Sequence, residues 1–239
     1  MSSRTTSHLA AAAMAGAASL AIAGFTALGS VFDYPKILKA PTEEILTSYR
    51  ANQGAVTLWF LVLVVSAALL APLGVLLGRI AGPPLGRWIA GVGIAAATVQ
   101  VIGLSRWVLL VPRVSDDALD PTHTADAHHT FELLHTWLGK ALGETVGYAL
   151  TATFTVLVVM AVTRTIAPRW MAAIGYVAAG LIATGVLIPL GLGTASITNF
   201  VGYVAWCLWL LGMAVALWRA PRRAGASRPA VTTTATASV

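Results

Sequence analysis

Charge is what this chain has least of. Asp, Glu, Lys and Arg make up 10% of its 239 residues, against about 25% in an ordinary soluble domain. A fold of this size needs that polar surface to stay in water, so its scarcity excludes a soluble enzyme, a soluble nucleic-acid-binding domain and a disordered chain. Cysteine is nearly absent too. Cys207 stands alone, which excludes an intrachain disulfide framework and any multi-cysteine metal site. The chain has no GxSxG nucleophile elbow, no phosphate-cradling GxxxxGK[ST], no GxGxxG and no HExxH, so the common local signatures of catalysis are missing. Ser105 has no histidine near it in sequence and reads as an ordinary helix serine.

What fills the chain is apolar. Hydrophobic residues make up 57% of it, and its mean hydropathy is +0.80. Six stretches reach the roughly 20 residues needed to cross a bilayer: 8–31, 54–77, 88–111, 137–162, 170–192 and 200–218. In lipid each span must satisfy its own backbone polar groups, and the alternation of a barrel strand is absent, so the spans are predicted helices. The expected fold is therefore all-α, an integral membrane bundle of six transmembrane helices over 1–218. Residues 219–239, ending in VTTTATASV, read as a disordered cytoplasmic tail of low complexity. Pro72 and Pro189 fall inside spans, where they are expected to kink helices rather than end them.

The first span has a competing reading. Arg4 precedes an alanine-rich run, and Ala21-Ile22-Ala23 ahead of Gly24 resembles a signal-peptidase site. Apolar residues continue through Phe25, Leu28 and Val31, long enough to span, so a retained anchor is expected.

Orientation follows from counting bases. Nine of the 15 basic residues (Arg4, Arg79, Arg87, Arg164, Arg169, Arg219, Arg222, Arg223, Arg228) lie on the side of the two termini and the short connections. The opposite side holds Lys36, Lys39, Arg50 and Arg113. The positive-inside rule then puts both termini in the cytoplasm of a cell whose plasma membrane the chain crosses. Trp88, Trp170 and Trp218 each adjoin an arginine on that side, as interfacial anchors do. A net charge of +6 spread over short loop ends is a topology determinant, and nucleic acid is not an expected partner. The lipid bilayer is.

Two longer connections, 32–53 and 112–136, lie on the other side. The first carries Pro41-Thr42-Glu43-Glu44, a helix start with acids at its positive end, followed by Ile45, Leu46 and Tyr49 on one face. A short amphipathic outer helix covering the bundle mouth or the headgroups is expected there. The second holds His123, Asp126, His128, His129, Glu132 and His135. On a helix beginning near Ala127, His128, Glu132 and His135 would share a face, and two imidazoles with a carboxylate could hold zinc with an open position. A solvated helix start explains the same residues, and no cofactor is expected.

A faint echo links 68–74 (ALLAPLG) with 185–191 (GVLIPLG). With three spans per half, a true repeat would be a 3+3 inverted one, as in several transporter folds.

The residues most informative about function are the ionisable ones inside spans, because burying charge in hydrocarbon is costly. They are Arg106, Lys140 and Glu144. Arg106 lies six residues before Pro112, about 9 Å by helical rise, and Glu144 seven residues after Trp137, about 10 Å. On consecutive antiparallel spans these depths match, so a direct Arg106–Glu144 ion pair is expected, with Gln100 below it. Lys140, four residues from Glu144, is the rival partner. Gly139, Gly143 and Gly147 form a double GxxxG that permits close helix approach. Three functions are compatible: a pocket binding or passing a small polar or charged ligand between the third and fourth spans; an outward-facing membrane enzyme using Glu144 or the histidines; and a structural or regulatory subunit whose charges only join helices.

The stretch Gln100-Val-Ile-Gly-Leu-Ser-Arg106-Trp107, with Leu-Val-Pro112 after it, resembles actinobacterial members of the DUF4386 family. So do Leu138-Gly139 and Leu142-Gly143-Glu144-Thr-Val-Gly147-Tyr148, the Phe32-Asp33-Tyr34-Pro35 segment, and Tyr49-Arg-Ala-Asn-Gln-Gly54. The resemblance runs from about Val31 to Trp218. It implies a multi-pass membrane protein and no particular reaction, and it leaves out the histidine cluster.

Overall fold

The computed structural model describes residues 3–163 and 166–220. Of the expected tail, Arg219 ends the sixth helix, and the rest from 221 on (Arg222, Arg223 and Arg228 included), like Arg164, lies outside the described residues. Six helices long and apolar enough to cross a membrane are present: Arg4–Phe32, Gln53–Ala81, Leu85–Asp117, Thr124–Thr163, Arg169–Leu190 and Gly193–Arg219. Each packs against its neighbours in sequence, and the first packs against the sixth, so the six close into a ring. One end of the ring carries the N-terminus and the short turns after the second and fourth spans, and is the terminal end here. The other is the loop end.

Two apolar clusters fill the ring at different heights. Toward the terminal end, Met14, Leu73, Leu77, Ile89, Phe154, Val158, Ile182, Leu210 and Met213 bring all six spans together. At the loop end, Leu28, Phe32, Phe60, Leu63, Trp107, Val111 and Phe131 draw on the first four spans only. The short helix Thr42–Ala51 forms where expected, with Glu43 and Glu44 in its first turn and Arg50 in its last, each complementing the helix dipole. Its buried face of Ile45, Leu46 and Tyr49 belongs to this upper cluster. The helix is thus seated on the bundle mouth. Three polar ties hold it there: Thr42 Oγ1 donates to Glu132 Oε1 (3.2 Å), Arg50 Nη1 to the Ser115 carbonyl (3.1 Å), and Asn52 Nδ2 to the Val31 carbonyl (3.1 Å).

The second and third spans meet most closely. Gly78 faces Gly86 and Gly74 faces Gly93, backbone against backbone, the small-residue contact that membrane helices use in place of a hydrophobic drive. The turn between them needs Gly82, whose φ of 71° lies in the left-handed region that glycine enters without steric cost.

Several boundaries differ from expectation. The third span does not stop at Pro112. The helix breaks at Leu110 and restarts as Val111–Asp117 with the proline in its first turn, where the missing N–H would have had no intrahelical partner anyway. The fourth begins at Thr124 rather than Trp137, so the long second connection shrinks to a turn and the histidines sit on a helix. Pro72 behaves as expected: the second span breaks at Leu69 and resumes as Leu70–Ala81, because the proline cannot donate to the Ala68 carbonyl. Pro189 does not. Residues Thr184–Leu190 tighten into a 3-10 helix that ends at Gly191 in the left-handed region, its N–H bonded to the Ile188 carbonyl. Proline strips a donor from the turn and the glycine caps what is left, so the span stops there. The sequence echo between 68–74 and 185–191 is therefore not carried into local geometry.

Candidate functional site

Arg106 is held by glycines. It is 6% exposed, its guanidinium lies flush on Gly139 of the fourth span, and Nη1 donates to the Gly103 carbonyl on its own helix. A Cβ on Gly139 would stand 2.7 Å from Arg106 Nη2, and one on Gly103 would stand 2.9 Å from the Gly143 Cα. Gly147 faces Gln100 in the same way. The three glycines of the GxxxG run thus receive the third span, and the adjacency of these two spans is as expected.

The winding here is unusual. From His135 to Val146 the fourth span is a π-helix, each N–H reaching five residues back instead of four, and the Thr145 hydroxyl also bonds the Lys140 carbonyl (3.0 Å). Such winding is rare and concentrates at functional sites. It abuts the 3-10 turn of the fifth span, so two irregular segments frame the same interior region.

Wider winding changes which residues face inward. Lys140 was expected in the interior with Glu144. It is exposed on the bundle surface, whereas Glu144 is half-buried. More residues per turn separate positions that an α-helix would stack, and a lysine stem at this height can reach the interface.

The direct ion pair is not formed. Among the described residues, the ion pairs within 4 Å are Lys36–Asp33 and His123–Asp120, both 3.1 Å and exposed. Arg106 and Glu144 remain within electrostatic reach of each other, and of Tyr34 and Tyr148. The depth estimate placed both residues from Pro112 and Trp137, and neither residue ends its helix. In the structure Arg106 reaches Gly139, while Glu144 sits five residues further along, nearer the level of Gly103. One turn of difference is enough to part the pair.

Below them a second group of polar side chains is fully bonded. Gln100 Nε2 donates to Thr151 Oγ1 (2.6 Å), Thr151 to the Gly147 carbonyl (2.8 Å), and Thr155 to the Thr151 carbonyl (2.8 Å). Trp206 Nε1 donates to Thr155 Oγ1 (2.8 Å), bringing in the sixth span. Asn199 Nδ2 donates to the Ile182 carbonyl (2.8 Å). Tyr148 stands edge-on to Tyr203 at 5.6 Å. This ladder is interhelical glue of the ordinary kind. Arg106, Glu144 and His135 are different. His135 is 7% exposed and stacks on Phe131, and neither ring nitrogen reaches full hydrogen-bond geometry, although the Leu38 backbone lies close enough to act on the ring. Among the described residues, the Glu144 carboxylate accepts no hydrogen bond and Arg106 bonds only through Nη1. Buried polar groups are nearly always satisfied; of the three, His135 is the one whose buried polar atoms lack a bond, while Arg106 bonds the Gly103 carbonyl and Glu144 is half-buried. Thr151, Tyr203 and Asn199 are not among the residues the sequence singles out, and Tyr34 and Tyr148 enter it only within the family-like segments; hydroxyl and amide side chains within spans were the available signal.

The zinc arrangement does not assemble. Among the described residues no three His, Cys, Asp or Glu side chains group to hold a metal. His135 is buried, whereas Glu132 is exposed and engaged by Thr42. The helix changes winding at His135, which turns that ring off the face of His128 and Glu132.

Tyr34 sits on the loop above this region, against Phe25 and Phe60. Burial first, and the Glu144 carboxylate second, push its hydroxyl up to about 12, against the pull of Arg106. A raised acid keeps its proton in the folded chain after the unfolded chain has lost it, so the unfolded state binds fewer protons over that window. Stability should therefore be intact below pH about 10 and fall between about 10 and 12. Unfolding midpoints in detergent across this range should decline less steeply for Tyr34→Phe; an unchanged slope would place the hydroxyl in water.

Six lipid-length helices in a ring define a multi-pass membrane protein. The chain matches the family described as a domain of unknown function, DUF4386, over residues 9–214, and it belongs to that family. No curated protein and no solved structure matches it.

Proposed function

We propose that the protein binds, or passes, a small polar or charged ligand through a pocket between the third and fourth spans that opens toward the loop end. The observation that carries this reading is that Arg106 and Glu144 lie within the bundle without a direct ion pair, beside a segment of π winding that also holds the buried ring of His135. Ionisable groups kept inside the spans without a contacting counter-charge mark a ligand site by default. The proposed orientation puts both termini in the cytoplasm and the loop end outside, following the arginine count. A second reading, a structural or regulatory subunit, draws support from the Gln100–Thr151–Thr155–Trp206 ladder, which is satisfied internally and joins three spans.

Thiol labelling of the whole chain in sealed vesicles separates the two. In a Cys207→Ala background, a membrane-impermeant maleimide added outside should label Asp120→Cys fast and Gln100→Cys more slowly but to completion. Gly82→Cys should stay unlabelled. A Gln100→Cys thiol that never reacts would favour the closed structural bundle. Labelling at Gly82 in place of Asp120 would reverse the orientation.

A further inference from the structure

Among the described residues, the buried side-chain atoms that make no full hydrogen bond are Trp107 Nε1, Ser115 Oγ, both His135 ring nitrogens and Thr163 Oγ1. Nε and Nη2 of Arg106, the Glu144 carboxylate oxygens and the Tyr34 and Tyr148 hydroxyls are unbonded as well, yet they fall outside that buried set. Each therefore keeps some surface that water can reach. That surface is inside the ring. Arg106 of the third span, Tyr203 of the sixth and Tyr34 of the first loop all lie within electrostatic reach of Glu144, as does Tyr148 on its own span. A carboxylate turned to lipid could not be approached from two other spans and a loop at once. Lys140 also acts on Glu144, but it is exposed and forms no ion pair within 4 Å.

We infer that this crevice takes a small zwitterion, its carboxylate at Arg106 and its ammonium at Glu144. The inference rests on the pocket proposed above and names the class of its occupant. Arg106 and Glu144 carry opposite charges that act on each other without closing to 4 Å. A simple anion entering between them is repelled by Glu144, and a simple cation by Arg106; a molecule with both charges meets attraction at each end. The donors fit that assignment. Nη1 of Arg106 is spent on the Gly103 carbonyl, which leaves the Nε–Nη2 edge for a carboxylate, the paired contact a guanidinium favours. On the other side, the Tyr148 and Tyr203 rings, 5.6 Å apart, are aromatic neighbours of Glu144 of the kind an ammonium group favours. The apolar packing at the loop end draws on the first four spans only, so entry is on the side of the fifth and sixth.

The test titrates the full chain in detergent with glycine, β-alanine and 4-aminobutyrate, whose charges are progressively further apart, and with propionate and ethylamine, which carry one charge each. A ligand that binds only the folded state raises the unfolding midpoint with its concentration. The rise should saturate at millimolar levels, below those at which excluded solutes stabilise proteins in general. At least one of the three zwitterions should bind about tenfold tighter than either single-charge compound, the worth of one added charge-assisted hydrogen bond. This comparison is made on the parent chain and needs no variant to fold. In Glu144→Gln the preferred zwitterion should bind no better than propionate, and propionate itself should bind more tightly than to the parent, because the repelling carboxylate is gone. Zwitterions that do no better than propionate or ethylamine, or a preference that survives Glu144→Gln, would overturn the inference. If Gln100→Cys is meanwhile labelled to completion, the pocket stands and only the class of its occupant is wrong. If that thiol never reacts, the pocket and the inference fall together.

Discussion

Arg106→Gln and Glu144→Gln are each expected to destabilise the folded protein by about 2–3 kcal/mol, less than the roughly 3–5 kcal/mol of breaking a contacting buried pair. Arg106 is buried and bonded to the Gly103 carbonyl, while Glu144 is half-buried and acts on it from beyond 4 Å. At an effective dielectric of about 20, unit charges at 4 Å attract by about 4 kcal/mol and less at longer range. A double-mutant cycle, read by unfolding in detergent, should therefore give a coupling of about 1–2 kcal/mol, with the double variant more stable than the sum of the singles implies. Lys140→Gln should be near neutral, because that side chain is exposed. A coupling above about 3 kcal/mol would mean that the charges touch, and a larger Lys140 effect would restore it as the partner.

Gly86→Ala should cost about 1–3 kcal/mol, the range for overpacking a filled interface. A Cβ there runs into the Gly78 carbonyl, and one on Gly78 runs into the Gly86 carbonyl. Neither obstacle is a side-chain tip that can swing aside, so the second and third spans must separate. Gly91→Ala on the same helix meets nothing within 4 Å and should gain about 0.5–1 kcal/mol, since alanine loses less backbone entropy than glycine in a helix. The opposite signs make the pair its own control. Equal effects at the two positions would show that helix propensity, and not the backbone contact, governs this hairpin.

The site was partly legible before any coordinates. Arg106 and Glu144 stand out in apolar spans because charge there demands a reason, and the glycines four apart announce a close approach. Their pairing was misread because depth was counted from Pro112 and Trp137 as though each ended a helix. The zinc candidate failed for a related cause: spacing on an ideal α-helix was applied to residues around His135, where the winding changes. His135 drew notice as a possible ligand, but its burial depends on the stacked Phe131 ring and is not readable from spacing.

What the sequence alone determined is the number of spans, their helical nature, the outer helix at 42–51 and the identity of the buried charges. Those properties are local and one-dimensional: hydrophobic length meets bilayer thickness, and a lone charge in an apolar run is costly whatever surrounds it. Only the tertiary structure decided that Arg106 and Glu144 stand apart, that Lys140 faces outward, and that the fifth span ends through Pro189 at Gly191. Which way a residue faces depends on the rotation and winding of its helix, and here those are set by contacts from other spans. Gly103 and Arg106 press the fourth span into place at Gly143 and Gly139, and Tyr148 and Asn199 crowd the fifth at Gly185. No periodicity within one span carries that information.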